Sequence, residues 1–321
     1  MPRRLSGIPL TLLVTLGFFL LSGCGQRSEP LLRIASNVWP GYEMVYLARE
    51  LKYFDTNQIR LVEFPSATAG IQALAAGSVE GAMLTLDEVL GARAEGLSLQ
   101  VVAVLDVSVG ADVLLARPSI TSLQELKGKR IGVEHSAVGA IMLDAVLSGA
   151  GLTMDDVEVV HTTVNRHPGV YREGKVDAVI TFEPVRTRLI KEGAVQLFDS
   201  SEIVGRIIDV LAVLPKAAER SPSAISTLVA AHFSARDHWL QNPDQASPIL
   251  ARRLLLQPEE VAGAYTGIQL TDLATNRTFL QGPAPKLEEA AERLSDTMVR
   301  AGLLDARPDL SGLVDGSHLP D

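Results

Sequence analysis

The feature of this 321-residue chain that most constrains its fold is a strand–helix alternation that occurs twice, the second copy displaced by 97 residues. Short apolar runs of strand length alternate with segments of helical period from residue 31, and the same order resumes at residue 129. At this offset Arg33 corresponds to Arg130, and Glu80 corresponds to Asp177. Strands that alternate with helices form doubly wound, mostly parallel sheets. The sequence therefore predicts an α/β protein with two lobes of one topology.

The expected strands of the two copies are short runs rich in aliphatic residues. They lie at 31–35, 59–64, 81–85, 99–105 and 113–116 in the first copy, and at 129–133, 157–161 and 177–181 in the second. A further strand is expected at 207–214, and the rest of the chain favours helices at 221–240, 247–255, 259–265 and 286–301. The last part of the chain is therefore expected to be mostly helical.

Composition excludes several classes of protein. Acidic residues outnumber Lys and Arg by 38 to 29, which argues against a nucleic-acid partner. The single cysteine excludes a disulfide or a Cys-based zinc site within one chain. The six histidines form no His-x-x-x-His pair, and no phosphate-binding glycine loop is present. We therefore expect no metal and no cofactor.

The amino terminus has the pattern of a targeting signal. Arg3 and Arg4 precede an apolar run over 8–21, which is too short to span a bilayer comfortably but suits a signal peptide. The run ends at Leu21-Ser22-Gly23-Cys24, which resembles the lipobox of bacterial lipoproteins. The alternative is an ordinary signal peptide followed by a chance cysteine. The prediction is a signal peptide at 1–23, a lipidated Cys24 and a tether at 24–30, with the rest of the chain in the periplasm or at the cell surface.

Candidate ligand-binding residues follow the predicted strands, because ligands of doubly wound sheets sit beyond the carboxyl ends of the strands. Trp39 and Tyr42 lie on a Pro-Gly loop, where they either cover a ligand or pack within the loop. Ser136 precedes a helix, where it either presents backbone N–H groups to a ligand or caps the helix only. Asp106 and Asp112 also follow strands, and the simpler interpretation of both is a solvated loop.

Two acidic residues occupy equivalent places in the two copies. Asp87 follows Thr85-Leu86, and Glu183 follows Thr181-Phe182. The functional hypothesis is that both carboxylates face a ligand across a cleft. The alternative is that each only stabilises the amino terminus of the helix that follows it.

Several segments, in this order and spacing, resemble those of a known family. They are the lipobox, Trp39-Pro40-Gly41-Tyr42, Gly77-Ser78-Val79-Glu80, the run from Leu126 to Val133, and Gly174-Lys175-Val176-Asp177-Ala178. Together they look like the extracytoplasmic solute-binding proteins of ABC importers for nitrate, sulfonates, taurine and thiamine-pyrimidine precursors.

The resemblance implies a two-lobed binding-protein fold with a hinge made by two chain crossings. The crossings are expected near 116–119 and 210–215, so that 31–116 and 213–321 form lobe 1 and 117–212 forms lobe 2. Carried over by position, the expected ligand-binding residues are Trp39, Tyr42, Thr85, Asp87, Ser136, Thr181 and Glu183. The partners it implies are a small-molecule ligand and a membrane permease, and the chain is expected to be a monomer and not an enzyme.

The strand-end segments carry no Lys or Arg, which disfavours a plain oxyanion as the ligand. Asp87 and Glu183 favour an amine or ring N–H groups, and Trp39 or Phe182 could stack on a cation or a flat ring. An amine-bearing sulfonate or a pyrimidine would fit both features. Two alternatives stay open: a ligand-binding sensor subunit for a membrane signalling protein, and an enzyme like those that make the thiamine pyrimidine.

Overall fold

A computed structural model describes residues 29–321, and the strands within them form two separate sheets. The predictions for the signal peptide at 1–23 and for Cys24 lie outside the described residues. In chain order the strands are β1 Leu32–Ser36, β2 Ile59–Glu63, β3 Gly81–Thr85, β4 Gln100–Ser108, β5 Val113–Ala116, β6 Arg130–Val133, β7 Glu158–His161, β8 Ala178–Thr181, β9 Val195–Asp199, β10 Ile208–Val213 and β11 Ile268–Leu270.

The first sheet has the strand order β11-β4-β10-β3-β1-β2. Strands β2 and β3 both run parallel to β1, with Leu32 opposite Ile59 and Ile34 opposite Gly81. Strand β10 runs antiparallel between β3 and β4, and Asp209 lies opposite Thr85. The carboxyl ends of β1 and β3 therefore meet the amino end of β10 at one edge of the sheet.

The second sheet repeats this plan with the order β7-β6-β8-β5-β9. Strands β7 and β8 are parallel to β6, and β5 runs antiparallel to both β8 and β9. The expected two-lobed α/β fold is confirmed. Each sheet is mixed, because an antiparallel strand lies next to three parallel ones. This strand is β10 in the first sheet and β5 in the second, and each enters from the other lobe.

Helices follow most of the strands. They are α1 Glu43–Glu50, α2 Ala67–Ala75, α3 Leu86–Ala94, α4 Ala137–Ala150, α5 His167–Arg172, α6 Val185–Lys191, α7 Pro215–Arg220, α8 Pro222–Gln241, α9 Pro243–Leu254, α10 Val261–Ala264, α11 Leu273–Leu280 and α12 Lys286–Arg300. Helix α8 begins with Pro222, which suits a first helical turn because proline lacks the N–H that such a turn leaves unpaired. It packs on α1, which brings the carboxyl-terminal helices back to the first lobe. None of the helices described in residues 29–321 combines the length and the apolar composition needed to span a bilayer.

The sequence repeat corresponds to one ion pair made twice. In the first lobe Glu80 Oε2 accepts hydrogen bonds from Arg33 N at 2.8 Å and from Nε at 3.0 Å. In the second lobe Asp177 Oδ2 accepts from Arg130 N and Nε, both at 3.0 Å. Glu80 immediately precedes β3 and Arg33 lies on its parallel neighbour β1. Asp177 precedes β8 and Arg130 lies on β6 in the same way, so the ion pair joins equivalent strands in the two lobes.

The chain crosses between the lobes earlier than expected at both places. Strand β5 pairs in the second sheet although 113–116 was expected in lobe 1, so the first crossing lies at 109–112 rather than 116–119. Strand β10 pairs in the first sheet although most of it was expected in lobe 2, so the second crossing precedes residue 208. This difference has no signal in the sequence, because an apolar strand does not reveal which of two sheets it joins.

Candidate functional site

A cavity lies between the lobes, at the carboxyl ends of the parallel strands of both sheets. Its wall combines two aromatic residues and two carboxylates near the ends of first-lobe strands with residues that follow strands of the second lobe. The lining residues are Asn37, Trp39, Tyr42, Ala67, Thr85, Glu88, Asp112, Glu134, Val138, Phe182, Ile207 and Asp209. None of these is a Lys, Arg or His.

The aromatic part of the wall comes from both lobes. The rings of Trp39 and Phe182 meet edge to face, with centroids 5.3 Å apart and planes at 89°. Trp39 is held from behind by Asp106, whose Oδ2 accepts from the indole N–H at 3.1 Å. The Tyr42 hydroxyl donates to Asp209 Oδ1 at 2.6 Å. Carboxylates of β4 and β10 therefore fix the positions of the two first-lobe aromatic rings.

The glycine between these aromatic residues is required by a close approach. A Cβ atom at Gly41 would lie 1.7 Å from Asp106 Oδ2 and 2.7 Å from the indole nitrogen of Trp39. Both distances are far below van der Waals contact. The Pro-Gly loop therefore serves to let a carboxylate reach the indole N–H.

Carboxylates dominate the polar part of the wall. Glu88, Asp112 and Asp209 reach the cavity from the first lobe and the hinge, and Glu134 reaches it from the second lobe. Asp112 Oδ2, Asp209 Oδ2 and Glu134 Oε1 are buried and accept no hydrogen bond from the protein. Burying an ionised oxygen without a partner is costly, so this wall is incomplete without a donor or a cation.

Burial raises the pKa of every carboxyl group in this cluster. It raises the pKa of Glu88, Asp106 and Glu134 to about 7 and that of Asp112 to about 6. The pKa of Asp209 lies well above its ordinary value, mainly because of burial and then because of the neighbouring Asp106 charge. The charge of Glu88 also raises the pKa of Glu134 across the cleft. Glu88, Asp106, Asp112 and Glu134 therefore titrate near neutral pH.

Local structure explains how the two glutamates are positioned. Glu88 is the third residue of α3, and its Oε2 accepts from the backbone N–H of Thr85 at 2.9 Å. This contact caps the helix and holds the side chain at the end of β3. Glu134 comes directly after β6, where the parallel strands of the second sheet end.

Three of the predicted site residues line the cavity, namely Trp39, Tyr42 and Thr85. Ser136 does not line it and instead caps α4 by accepting from the N–H of Gly139 at 3.2 Å. The Thr181 hydroxyl lies 3.1 Å from His167 Nδ1. The other nitrogen of this ring, Nε2, is 3.1 Å from the carbonyl of Thr162, so Nε2 carries the proton and Thr181 donates to Nδ1.

The predicted pairing of Asp87 with Glu183 across the cleft is wrong. Asp87 is fully buried behind the wall, and neither of its oxygens accepts a hydrogen bond. Glu183 caps its own helix, because its carboxylate accepts from the Thr187 N–H at 3.1 Å and from the Thr187 hydroxyl at 3.0 Å. The neighbours Glu88 and Phe182 line the cavity instead. Asp106 and Asp112 are buried as well, not in solvated loops.

An outer cleft adjoins the cavity and shares Asn37, Glu134 and Phe182 with it. Two arginines from opposite lobes, Arg188 and Arg253, line this outer part. Arg253 donates to Glu43 at 2.7 Å, contacts Glu63, and lies 3.3 Å from the ring centroid of Tyr46. Its Nη2 is buried and has no hydrogen-bond partner in the described residues. Arg253 is ion-paired with two carboxylates, so among the described residues Arg188 supplies the unpaired positive charge at the mouth, and the inner cavity has no basic side chain.

The two crossings between the lobes are hydrogen-bonded to each other. The hydroxyls of Ser108 and Ser200 are 2.8 Å apart, and Ser200 Oγ also accepts from the Gly110 N–H at 2.7 Å. Gly110 has φ of 111°, a conformation that favours glycine, next to the backbone of Gly267. Asp112, which lines the cavity, follows on this same crossing. The hinge and the site are therefore contiguous.

Contacts across the cleft show that the lobes are closed. The Thr68 hydroxyl donates to the carbonyl of His135 at 3.3 Å, and Lys191 forms an ion pair with Glu260. Within residues 29–321, no group of three or more His, Cys, Asp or Glu side chains is placed to hold a metal ion.

Two mixed α/β lobes, two crossings and a cavity between the lobes define the fold class of periplasmic binding proteins. The family model described as NMT1/THI5 like matches residues 39–246. The chain belongs to this family.

Named relatives agree with this assignment. The chain is 25% identical to the taurine-binding periplasmic protein of Escherichia coli K12 over 235 residues, 70% of this chain and 72% of the relative. It is 24% identical to the putative aliphatic sulfonates-binding protein of the same strain over 217 residues, 67% of each chain. The alkanesulfonate-binding protein SsuA of Xanthomonas axonopodis pv. citri, solved with MOPS bound, superimposes with a TM-score of 0.74 at 20% identity, covering 86% of this chain and 94% of SsuA. The similarity to SsuA shows that the two chains share a fold.

Proposed function

We propose that this protein is a lipid-anchored, extracytoplasmic solute-binding protein that delivers a small organic molecule with a cationic or N–H donor group to an ABC importer. The family and the relatives named as periplasmic binding proteins support the transport role. The charge of the cavity supports the ligand class.

One observation carries the ligand class: four carboxylates line a cavity between the lobes whose wall contains no basic side chain. Three of their buried oxygens have no partner. A plain oxyanion would add negative charge to this site, which costs free energy because the interior screens charge poorly. A protonated amine would instead donate a charge-assisted hydrogen bond to each carboxylate that it reaches.

The aromatic wall favours an organic cation over a bare metal ion. Trp39 and Phe182 present ring surface and edges to the cavity, and Tyr42 completes this side. Aromatic faces attract ammonium and guanidinium groups and stack on flat heterocycles such as aminopyrimidines. A metal ion would need converging oxygen or nitrogen ligands, and aromatic rings supply none.

The outer cleft indicates how an amine-bearing sulfonate would be oriented. Its amine would enter the acidic cavity, and its sulfonate would point toward Arg188 and Arg253 at the mouth. A ligand without an anionic end belongs to the same proposal, since it also would place positive charge among the carboxylates. Its body would extend into the outer cleft, because the free volume of the inner cavity is only about 30 Å³.

A thermal-shift screen tests the ligand class, because a ligand that binds the native state raises the unfolding temperature by mass action. The panel should contain primary amines, guanidines, aminopyrimidines, amine-bearing sulfonates, plain sulfonates, nitrate and divalent metal ions. We expect stabilisation by members with a cationic or amino group. Stabilisation by nitrate, plain sulfonates or metal ions alone would contradict the proposed ligand class.

Cys24→Ala tests the lipid anchor separately. We expect the variant to leave the membrane fraction while the purified protein keeps the ligand affinity of the wild type. A variant that still fractionates with membranes would contradict the anchor but would leave the ligand class untouched.

A further inference from the structure

The two parts of the cleft between the lobes differ greatly in size. The inner acidic cavity has a free volume of about 30 Å³, whereas the outer cleft has about 470 Å³. The two parts are continuous, because Asn37, Glu134 and Phe182 line both. Pockets that enclose a whole organic ligand have volumes of roughly 300–1,000 Å³. The inner cavity therefore has room for a terminal group, and the body of a ligand lies in the outer cleft.

The wall of the outer cleft is mainly apolar. More than half of its lining residues are apolar, and both lobes supply them. They include Val38, Phe64 and Leu255 of the first lobe and Val164, Phe182 and Val185 of the second. A polar ligand body would leave this surface in contact with water, whereas an apolar body displaces that water, which is favourable. The wall therefore suits an apolar ligand body.

Leu255 stands at the mouth of this cleft in an uncommon backbone conformation. It ends helix α9 with φ of 52°, in the left-handed region that residues other than glycine seldom adopt. Its side chain is 70% exposed, whereas the neighbouring Leu254 and Leu256 are buried. The left-handed turn therefore separates Leu255 from the core and leaves an aliphatic side chain uncovered beside the cleft.

Arg188 lies on the second-lobe side of the same mouth. Its Nη2 donates to the carbonyl of Leu254 across the cleft at 3.5 Å, and its side chain forms no ion pair within residues 29–321. The exposed acidic residue of the outer wall, Glu63, is already neutralised by Arg253. The inner cavity is thus acidic, and the outer cleft combines an apolar wall with one unpaired cation.

We propose that the transported molecule is an elongated amphiphile whose terminal amine enters the inner cavity, whose apolar body fills the outer cleft and whose anionic end contacts Arg188. The inference rests on the proposed function and adds the length and the apolar body of the ligand. A molecule with only two carbons between its charged groups would leave most of the apolar wall in water. Each further methylene that becomes buried raises the affinity by roughly two- to fourfold, after the loss of its rotational freedom.

Isothermal titration calorimetry of the purified protein with ω-aminoalkanesulfonates of two to six carbons tests the apolar body. Alkylamines of the same lengths are measured in parallel. We expect the affinity for the aminosulfonates to rise roughly two- to fourfold with each added methylene. An affinity that stays constant or falls from two carbons to six would overturn the proposal.

Two variants locate the body and the anionic end of the ligand. Leu255→Asn keeps a residue that tolerates the left-handed conformation, and it should weaken binding of the longest members but not of the shortest. Leu240→Asn, at an exposed leucine outside the cleft, is its control. Arg188→Gln should weaken binding of the aminosulfonates about tenfold and leave the alkylamines unchanged. Arg186→Gln, on the same helix but outside the cleft, is its control.

Thermal unfolding confirms that each variant is folded. Equal losses for Leu255→Asn and Leu240→Asn with the longest members would overturn the placement of the apolar body. Equal effects of Arg188→Gln on aminosulfonates and alkylamines would overturn the contact with an anionic end.

Plain alkanesulfonates of the same lengths separate failure of this inference from failure of the proposed function. Plain sulfonates that bind as tightly as the amino compounds would contradict the proposed ligand class, whatever the effect of chain length. Amino compounds whose binding depends on Glu88 and Glu134 but not on chain length would overturn the apolar body alone.

Discussion

Glu88 of the first lobe and Glu134 of the second lobe enter the same cavity, and the charge of Glu88 raises the pKa of Glu134. Both side chains lie beyond the carboxyl end of a parallel strand, Glu88 after β3 and Glu134 after β6. In the closed protein they repel each other unless a proton or a cation lies between them. A cationic ligand would therefore stabilise the closed arrangement by neutralising charge contributed by both lobes.

Replacing these glutamates should weaken the binding of an amine-bearing ligand. Glu88→Gln and Glu134→Gln keep the side-chain shape and remove the charge. Loss of one charge-assisted hydrogen bond costs about 1.5–3 kcal/mol, which corresponds to roughly a ten- to hundredfold loss of affinity. Isothermal titration calorimetry measures this loss directly.

Glu259→Gln is the matched control, because Glu259 is exposed and lies outside both parts of the cleft. It should bind with the affinity of the wild type. Undiminished affinity in both cavity variants would show that the ligand does not contact these carboxylates.

The ligand-free protein should lose stability as the pH rises through the range in which the buried carboxyl groups ionise. Their pKa values are raised in the folded state, to about 7 for Glu88, Asp106 and Glu134. Between about pH 4 and pH 7 the folded state therefore binds more protons than the unfolded state, and stability falls with rising pH. Buried His167 and His232 oppose this trend, because burial lowers the pKa of these rings to about 4 and about 3.

Differential scanning calorimetry from pH 4.5 to 7.5 measures the outcome. The carboxyl groups outnumber the two histidines, so we expect the unfolding temperature to fall across this range. The combined Glu88→Gln and Glu134→Gln variant should show a shallower fall. A rising unfolding temperature would contradict the raised pKa values of these groups in the folded protein.

Phe182→Ala should weaken ligand binding about tenfold and favour the open form. Phe182 comes from the second lobe and meets Trp39 of the first lobe edge to face at 5.3 Å. An aromatic pair contributes about 0.5–1.5 kcal/mol beyond its buried area, and this pair exists only when the lobes are closed. Small-angle scattering should give a larger radius of gyration than that of the wild type. Phe279→Ala, a half-buried phenylalanine outside the cleft, should leave the radius unchanged.

Gly41→Ala should disrupt the aromatic wall. The added methyl group would lie 1.7 Å from Asp106 Oδ2, so the contact between Asp106 and Trp39 must break. Overpacking of this kind costs about 1–3 kcal/mol of unfolding free energy. Gly263→Ala is the control, since a Cβ atom at Gly263 meets nothing within 4 Å. Chemical denaturation measures the free energy of unfolding of both variants. Equal free energies of unfolding for Gly41→Ala and Gly263→Ala would contradict the account.

Much of the fold could be predicted from the sequence, because strand and helix periodicity are local properties. Strands β3 and β5 have the bounds that the sequence predicts. The repeat at offset 97 correctly relates Arg33 and Arg130, which make the same ion pair in the two lobes. The crossings lie earlier in the chain than the sequence predicts, because strand pairing is decided by contacts between residues far apart in sequence.

The types of side chain that line the candidate site could be predicted from the sequence, but only some of the particular residues could. Strand ends with acidic and aromatic side chains do line the cavity, but Glu88 takes the place expected for Asp87. Successive helical residues differ by about 100° in direction, so an error of one position moves a side chain off the site. Asp209 had no sequence signal, since β10 returns from the other lobe and brings it beside Tyr42 only in the folded chain.

The most direct test of the central claim is the charge of the molecule that the cleft retains. Protein expressed in complex medium and purified without unfolding is analysed by native mass spectrometry, and the ligand is then released and identified. We predict a small organic compound with a basic or amino group, absent from the Glu88→Gln and Glu134→Gln double variant. Recovery of an anion without any such group, retained equally by the double variant, would contradict the account.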